Sequence, residues 1–318
     1  MKKVLIIEKI HNSGIELLKK RQDFTYEIVE NLEVNFLKNK LKDCDAVSLR
    51  VFKLDKELIE SAEKLKIISR HGVGYDNVDL KTTKEKNITL AITAKANAVS
   101  VAEHVFFMML SISRGVGMYD KCVRDGNFSK RNDLQLTKEL WNKNILIAGF
   151  GRIGKNLIKK CKGFDMNVFV YDPYVDEETI TRFGGKKIND FSKNVRDMDY
   201  LSFHLPSTDE TKNLINLKVL SSMKKSAILI NTSRGTVINE LDLNEALNKN
   251  MILGAGLDVF AKEPPDSNNP LLKNKKVFLS PHTSTFTEEC TERMGVDTIQ
   301  NIIDFFDGKL DKSMIVKL

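Results

Sequence analysis

The sequence predicts an α/β protein made of two doubly wound, parallel-sheet domains. Three observations carry that expectation. A chain of 318 residues is longer than one ordinary domain and fits two. Short apolar runs alternate with helical patterns through the first hundred residues, the pattern of a parallel sheet with helices on both faces. A second alternating series starts at residue 144, around a glycine-rich turn. The composition agrees, since 42% hydrophobic and 29% charged residues describe a globular protein with ample core.

In the first series, "KVLIIE" (3–8), "DAVSL" (45–49) and "LKIIS" (65–69) read as buried strands, being short, rich in Val, Ile and Leu, and bounded by polar residues. "FTYEIVE" (24–30) is a less apolar strand. Residues 13–21, 35–43 and 55–64 have helical spacing, some with Ser or Asp near the start. Residues 98–126 are apolar and helical throughout, with Glu103 and His104 near the start. They are expected to form one long helix that links two domains or lies in a dimer interface. Polar residues 127–140 read as an exposed arm. In the second series, strands are expected at 144–149, 167–172, 199–204, 226–231, 252–260 and 276–280, with helices at 153–163, 211–223 and 239–249. An amphipathic helix over 287–309 follows, with Gly308 as its cap.

Several function classes are excluded at this stage. No apolar run approaches the ~18–20 residues that span a bilayer. The start, "MKKVLIIEKI", sets basic residues before apolar ones as a signal peptide does, but Glu8 and Lys9 break the run after four residues. It reads as the first strand of a cytoplasmic protein. Cys44, Cys122, Cys161 and Cys290 are scattered with no C-x-x-C pair, which fits reduced thiols and neither a disulfide frame nor a zinc site; no metal is expected. The net charge is +7, but the lysines are spread among acidic residues along the whole chain. That describes a solvated basic surface, so neither nucleic acid nor a membrane is expected as a partner.

"NILIAGFGRIGKNLIKK" (144–160) contains Gly149, Gly151 and Gly154 in a G-x-G-x-x-G turn, with Arg152 and Ile153 between the last two glycines. The turn ends a strand and opens a helix, and Asp172 closes the next strand 18 residues after Gly154. That is the fingerprint of a dinucleotide site. Gly149 allows the tight turn, Gly151 lets backbone approach a pyrophosphate, and Gly154 lets the helix pack on the strand. The helix N-terminus supplies free N–H groups and roughly half a positive charge. Asp172 would accept from the ribose hydroxyls and repel a 2′-phosphate, so NAD is the expected cofactor.

Ligands of open α/β sheets lie beyond the carboxyl ends of the strands. Here those ends carry His204 and Pro206, then Asn231, Thr232, Ser233 and Arg234, then Asp258 and Glu263, and finally His282. Each alone is an ordinary loop residue; the series points to a site.

With these motifs the chain resembles the D-isomer-specific 2-hydroxyacid dehydrogenase family over essentially its whole length. The matching stretches are "RHGVGYDNVD" (70–79), "ANAVSVAEH" (96–104), "GFGRIG", "HLPSTDETKNLI" (204–215), "AILINTSRGTVINE" (227–240), "GAGLDVFAKEPP" (254–265), "NPLL" (269–272) and "SPHTS". The resemblance implies a flavodoxin-like substrate domain, residues 1–97 with 286–318, and a Rossmann NAD-binding domain, residues 98–285. It implies a homodimer through the long helix and the arm. It also implies catalytic roles for Arg234, Glu263 and His282. Asp258, Thr232, His204 and Pro206 would line the nicotinamide half, with Thr211 near the pyrophosphate. The Gly72-Val73-Gly74 turn would hold the substrate carboxylate.

The chemistry fits those residue types. Reducing a 2-oxo acid needs a hydride on carbon and a proton on oxygen. NADH brings the hydride, and His282 would bring the proton. A carboxylate beside it favours the imidazolium, which suits Glu263. Arg234 would grip the acid with a planar donor fork that Lys lacks. Arg50 resembles an arginine of 3-phosphoglycerate dehydrogenases that holds the phosphate, so 3-phosphoglycerate is favoured, with glyoxylate or hydroxypyruvate as the alternative. A reading of another class is an NAD-sensing corepressor; such proteins carry partner-binding grooves and disordered tails, and no such tail is expected here. Three stretches depart from the family pattern: Ala94-Lys95 replaces Pro-Gly, "NKNIL" (142–146) replaces "GKTLG", and Thr285 stands where Gly is usual and is expected to stiffen the turn after His282.

Overall fold

The computed structural model describes all residues, Met1–Leu318. The chain forms two compact units, Met1–Ala98 with Thr285–Leu318, and Val99–Ser284. In chain order the first unit begins β1 (Lys2–Ile7), α1 (Asn12–Lys19), β2 (Phe24–Val29), α2 (Val34–Leu41), β3 (Ala46–Leu49), α3 (Lys56–Ser61), β4 (Ile67–Arg70), α4 (Leu80–Glu85) and β5 (Thr89–Ile92). The second unit holds α5 (Ala98–Ser113), α6 (Val116–Arg124), β6 (Asn144–Ala148), α7 (Arg152–Gly163), β7 (Asn167–Tyr171), α8 (Glu177–Arg182), β8 (Lys186–Lys187), α9 (Phe191–Asn194), β9 (Tyr200–Phe203), α10 (Leu217–Ser222), β10 (Ile228–Asn231), α11 (Glu240–Asn248), β11 (Gly254–Leu257) and β12 (Val277–Leu279). The last helix, α12 (Glu288–Phe306), returns to the first unit.

Both sheets are wholly parallel. The first has strand order β2-β1-β3-β4-β5 and the second β12-β11-β10-β9-β6-β7-β8. Each order reverses direction once, between β1 and β3 and between β6 and β9. At such a switch point the loops on either side leave in opposite directions and open a crevice.

Burial on both faces explains why the strands read as unbroken apolar runs. In β1, Leu5 and Ile7 face Leu37, Leu41 and Leu58, while Val4 and Ile6 face Ile15, Leu18, Ile299 and Ile302. In β6, Ile145 and Ile147 pack with Val105, Met109 and Leu157, while Leu146 and Ala148 pack with Leu201, Leu229 and Leu243. One helix layer of the first unit is thus supplied partly by α12, whose sequence lies beyond the whole second unit. That helix ends as expected: Gly308 takes φ 71°, and the amides of Gly308 and Lys309 donate to the carbonyls of Phe305 and Asp304.

Four expectations change. The apolar stretch from residue 98 is two helices, α5 and α6, bent by 58°, because Gly115 adopts left-handed backbone at φ 57° and ends the first. Only Leu217–Ser222 of 211–223 is helical; the Thr208 and Thr211 carbonyls close turns before it, and the Asn213 amide donates instead to the Thr236 carbonyl. β11 is four residues, not nine, since Asp258 onward turns out of the sheet. Strands β5 and β8 and helices α4, α8 and α9 were not anticipated: β5 is bounded by Thr89 and Thr93, β8 is Lys186–Lys187, and the three helices are six residues or fewer. No single helix is long and apolar enough to cross a membrane.

Candidate active site

The glycine-rich turn occupies the switch point of the second sheet. Gly149 has φ 95°, and a Cβ on it would lie 2.5 Å from the His204 carbonyl oxygen, so only glycine lets the chain leave β6 this close to the end of β9. A Cβ on Gly154 would lie 2.5 Å from the Gly149 carbonyl oxygen, which sets α7 directly on the turn. A Cβ on Gly151 would meet nothing within 4 Å. Protein packing does not require that glycine; it keeps open the space over the first turn of α7. Gly151 offers no side-chain cap and the first turn carries no acid, so the helix N–H groups and dipole face that space. Arg152 is exposed there and Ile153 half-buried.

Asp172 sits beside the same turn. Its Oδ2 accepts from the Phe150 amide at 2.8 Å and its Oδ1 from the Tyr174 amide at 2.9 Å. Each oxygen retains a lone pair for a hydroxyl. At the ends of the adjoining strands β9 and β10, His204 Nδ1 and Thr232 Oγ1 are buried without a partner. Buried polar atoms normally have partners, so two orphans side by side fit a polar group supplied by a ligand. The Thr211 hydroxyl donates to the Pro206 carbonyl at 2.6 Å and accepts from the Thr208 amide at 2.8 Å, closing the exposed loop between them. These residues together fit a dinucleotide.

The candidate acid/base pair lies toward one edge of the same sheet, past the ends of β11 and β12. His282 Nδ1 is 2.8 Å from Glu263 Oε2, and Glu263 Oε1 accepts from the Phe260 amide at 3.0 Å. Partial burial works against the charged form of Glu263. The hydrogen bonds from His282 and Phe260, with the charges of His282 and Arg234, outweigh it and hold the carboxyl below its usual range. His282 itself is exposed and has φ 53°, a left-handed backbone that costs a non-glycine residue of order 1–2 kcal/mol.

Arg234 is brought to this group by the loop after β10. Asn231, fully buried, accepts from the amide and hydroxyl of Ser233 and donates to the Arg234 carbonyl at 2.9 Å. A Cβ on Gly235 would lie 1.8 Å from the Phe260 carbonyl carbon, so the Arg234 loop rests directly on the backbone that leads to Glu263. Asp258 is fully buried. Its Oδ1 accepts from Ser280 Oγ at 2.5 Å and the Thr283 amide at 2.8 Å, and its Oδ2 from the Ser284 amide at 3.0 Å. Reading it only as a nicotinamide contact misses this structural work.

In the first unit the Gly72-Val73-Gly74 turn follows β4. The Gly72 amide is engaged, donating to Thr93 Oγ1 at 2.9 Å and to the Arg70 carbonyl at 3.0 Å. The amides of Val73 and Gly74 donate to no protein acceptor. Of the three, those two are the donors left for a ligand. Arg50 ends β3, and its Nη1 donates to the Lys9 carbonyl at 3.0 Å. Glu8, at φ 66°, accepts from the Val51 and Phe52 amides through Oε2. The Arg50 loop is therefore held from the end of β1 across the switch point.

The departures from the family pattern are absorbed without strain. The left-handed residue of the last turn is His282, not Thr285, so Thr285 needs no glycine. Asn142 takes φ 56° where the family has Gly, and Asn tolerates that region better than most residues. Lys95 reaches Asp311 Oδ2 at 3.0 Å. Sequence reasoning missed Asn77, whose amide donates to the carbonyls of Arg50 and Phe52, as well as Glu8, Ser280 and Ser284. Their partners lie on other strands, and only the left-handed Glu8 is locally unusual.

A family model described as D-isomer specific 2-hydroxyacid dehydrogenase, NAD binding domain, matches residues 106–284. The D-3-phosphoglycerate dehydrogenase of Methanocaldococcus jannaschii is 33% identical over 316 residues, which cover 99% of this chain and 59% of that protein. The glyoxylate reductase of Thermococcus litoralis is 36% identical over 324 residues, covering 99% of this chain and 97% of that one. Among solved structures, a D-lactate dehydrogenase from Aquifex aeolicus, complexed with NAD and lactic acid, matches with a TM-score of 0.86 at 28% identity over 98% of each chain. The chain spans under two thirds of the length of the archaeal phosphoglycerate dehydrogenases it matches.

Two buried histidines determine the response of the ligand-free protein to acid. Burial, and then the charges of Arg50 and Arg70, push His71 down to about 3; burial alone pushes His204 down to about 3. In the unfolded chain both take up a proton near pH ~6.5. Between these limits the unfolded state binds more protons, so stability falls as pH drops below about 6.5. The lowered carboxyl of Glu263 adds to the loss at more acid pH. The thermal midpoint is expected to fall steadily from about pH 7 to about pH 4.5, and His71→Asn or His204→Gln to make that fall shallower. An unchanged slope in both variants would contradict the assignment.

Proposed function

The chain belongs to the D-isomer-specific 2-hydroxyacid dehydrogenase family, and on that premise we propose that it interconverts a small 2-oxo acid and the corresponding D-2-hydroxy acid with NADH and NAD. The observation that carries the proposal is the 2.8 Å pair of His282 and Glu263, with Arg234 beside it. Bound NADH supplies a hydride. Every other task falls to this chain. The helix N–H groups above Gly151 would take the pyrophosphate, and Asp172 the ribose hydroxyls, its charge disfavouring a 2′-phosphate. His282, oriented through Nδ1, would donate a proton from Nε2 to the carbonyl oxygen in reduction and recover it in oxidation. Glu263, ionised, stabilises the imidazolium. Arg234 would bind the acid and polarise the carbonyl. In the first unit, the amides of Val73 and Gly74 would offer donors to a carboxylate.

Replacing His282 by Ala is expected to lower kcat by ~10²–10⁴-fold while NADH binding, read by fluorescence titration, stays nearly intact. A variant with near-normal turnover would refute the role.

For the substrate we favour 3-phosphoglycerate, with glyoxylate or hydroxypyruvate as the alternative. Arg50 supports the first: one guanidinium nitrogen is tied to Lys9, and the remaining donors are left for a phosphate. The relatives' names divide between the two readings. A panel of phosphorylated and unphosphorylated 2-oxo and 2-hydroxy acids decides. Arg50→Ala is expected to raise KM for a phosphorylated substrate by about tenfold or more, the loss of one charge-assisted hydrogen bond. Equal turnover of both kinds of acid sinks the phosphoglycerate assignment.

We further infer a homodimer through α5, α6 and the arm. Phe107, Val123, Phe128, Leu136 and Trp141 lie there at 51–90% exposure, and a run of large apolar residues in water marks an association surface. Sedimentation equilibrium is expected to give twice the 36.1 kDa chain mass, and Phe128→Glu with Leu136→Glu to shift it toward the monomer; a wild-type monomer at micromolar concentration would end this reading.

A further inference from the structure

The turn from Ser280 to Ser284 carries His282 in left-handed backbone. Asp258 holds the inside of that turn: its carbonyl accepts from the His282 amide at 2.8 Å, and its carboxylate accepts from Ser280, Thr283 and Ser284. Two further ties come from α5. His104 Nε2 is 2.9 Å from Ser280 Oγ, and Ser100 Oγ donates to the Ser284 carbonyl at 2.7 Å. Ser100 and His104 are four residues apart and so share one helix face. They meet the first and last residues of the turn, as a two-point brace.

Proton counting gives the upper tie a direction. Ser280 has one hydroxyl proton, which goes to the Asp258 carboxylate. Its oxygen can then only accept from His104, so the ring carries its proton on Nε2. The chain of donors runs from His104 through Ser280 to Asp258, whose carboxylate also accepts from the Thr283 and Ser284 amides that fix the turn. Burial holds the His104 imidazole below its ordinary value against the pull of Asp258, in keeping with a neutral donor. An imidazole in a helix otherwise as apolar as "AVSVAEHVFFMML" needs such a reason.

We propose that Ser100 and His104 are positioning residues for His282, acting through Ser284 and through Ser280 with Asp258. The proposal rests on the reading of His282 as the acid/base group. A left-handed residue persists only where its surroundings over-determine it. Displacement of a proton donor by about an ångström lowers turnover by up to ~10²-fold without touching substrate binding.

The test uses the full chain, with the best 2-oxo acid of the panel as probe. His104→Phe keeps the ring and loses the donor; Ser100→Ala removes the second brace; His104→Gln keeps an amide donor near the place of Nε2. We expect His104→Phe and Ser100→Ala each to lower kcat about 5- to 50-fold. KM and the NADH Kd should stay within about twofold. His104→Gln should recover most of the loss. In protein labelled at the histidine rings, the His282 Nδ1 proton hydrogen-bonded to Glu263 should broaden in the two impaired variants and return in the Gln variant. Wild-type kcat and an unaltered His282 signal in both His104→Phe and Ser100→Ala overturn the proposal. So does a Gln variant as impaired as the Phe variant with an equally lowered Tm, since packing alone then explains both. Should His104→Phe fail to fold, Ser100→Ala with its ring signal decides. If the wild type turns over no acid, the functional reading fails on its own, and the ring signal still judges the positioning.

Discussion

Asp258 is an ionisable group with no exposed surface, and a carboxylate survives such a place only when its lone pairs are met by donors. Here the donors are one hydroxyl and two consecutive amides of the loop that carries His282. Satisfying the charge and shaping the loop are one event. The segment that follows Asp258 also supplies the Phe260 amide to Glu263 and the backbone on which Gly235 rests. The His282–Glu263 pair and the arginine loop therefore share a single support, the end of β11. Loss of that carboxylate would loosen all three together.

The same device recurs at other strand ends. Asp172, past β7, accepts the Phe150 amide in the turn after β6. Glu8, past β1, accepts two amides in the turn after β3. In each case an acid from one strand end takes the amides of a neighbouring loop. Parallel sheets leave all their loops of one kind at one edge, with backbone N–H groups that no strand satisfies. Carboxylates are the acceptors that can meet two such groups at once, and where none is provided the amides stay without a protein acceptor, as at Val73 and Gly74.

The strands were legible because burial on both faces makes them continuous apolar runs; β5 is bounded by Thr89 and Thr93, which break up such a run, and β8 is Lys186–Lys187 with no apolar residue. The break at Gly115 is visible afterwards in "SRGVG", but the apolar periodicity runs through it and hid the bend. The dinucleotide turn could be read residue by residue, since each glycine answers a local steric need. The candidate catalytic residues could be read only as strand ends. What each touches depends on strand order: Asp258 meets Ser280 because β11 lies beside β12, and nothing local says so. His104 reads as an ordinary helix residue until α5 is seen against the Ser280 loop. At Thr285, where the family usually has Gly, the backbone is not left-handed; the residue that is lies three positions earlier, at His282.

The first unit is discontinuous in the chain, with α12 completing one face of its sheet. On the ribosome that order matters. Residues to Ala98 emerge first, yet the face that holds Ile6, Ala46 and Ile67 has only α1 as cover until α12 follows, after the whole second unit. At synthesis rates of roughly 5–20 residues per second the wait is on the order of tens of seconds. The second unit is contiguous and is free to close in that interval. The strands of the first unit are thus made before the second unit but finished after it, and in that interval they are a part that a chaperone has reason to hold.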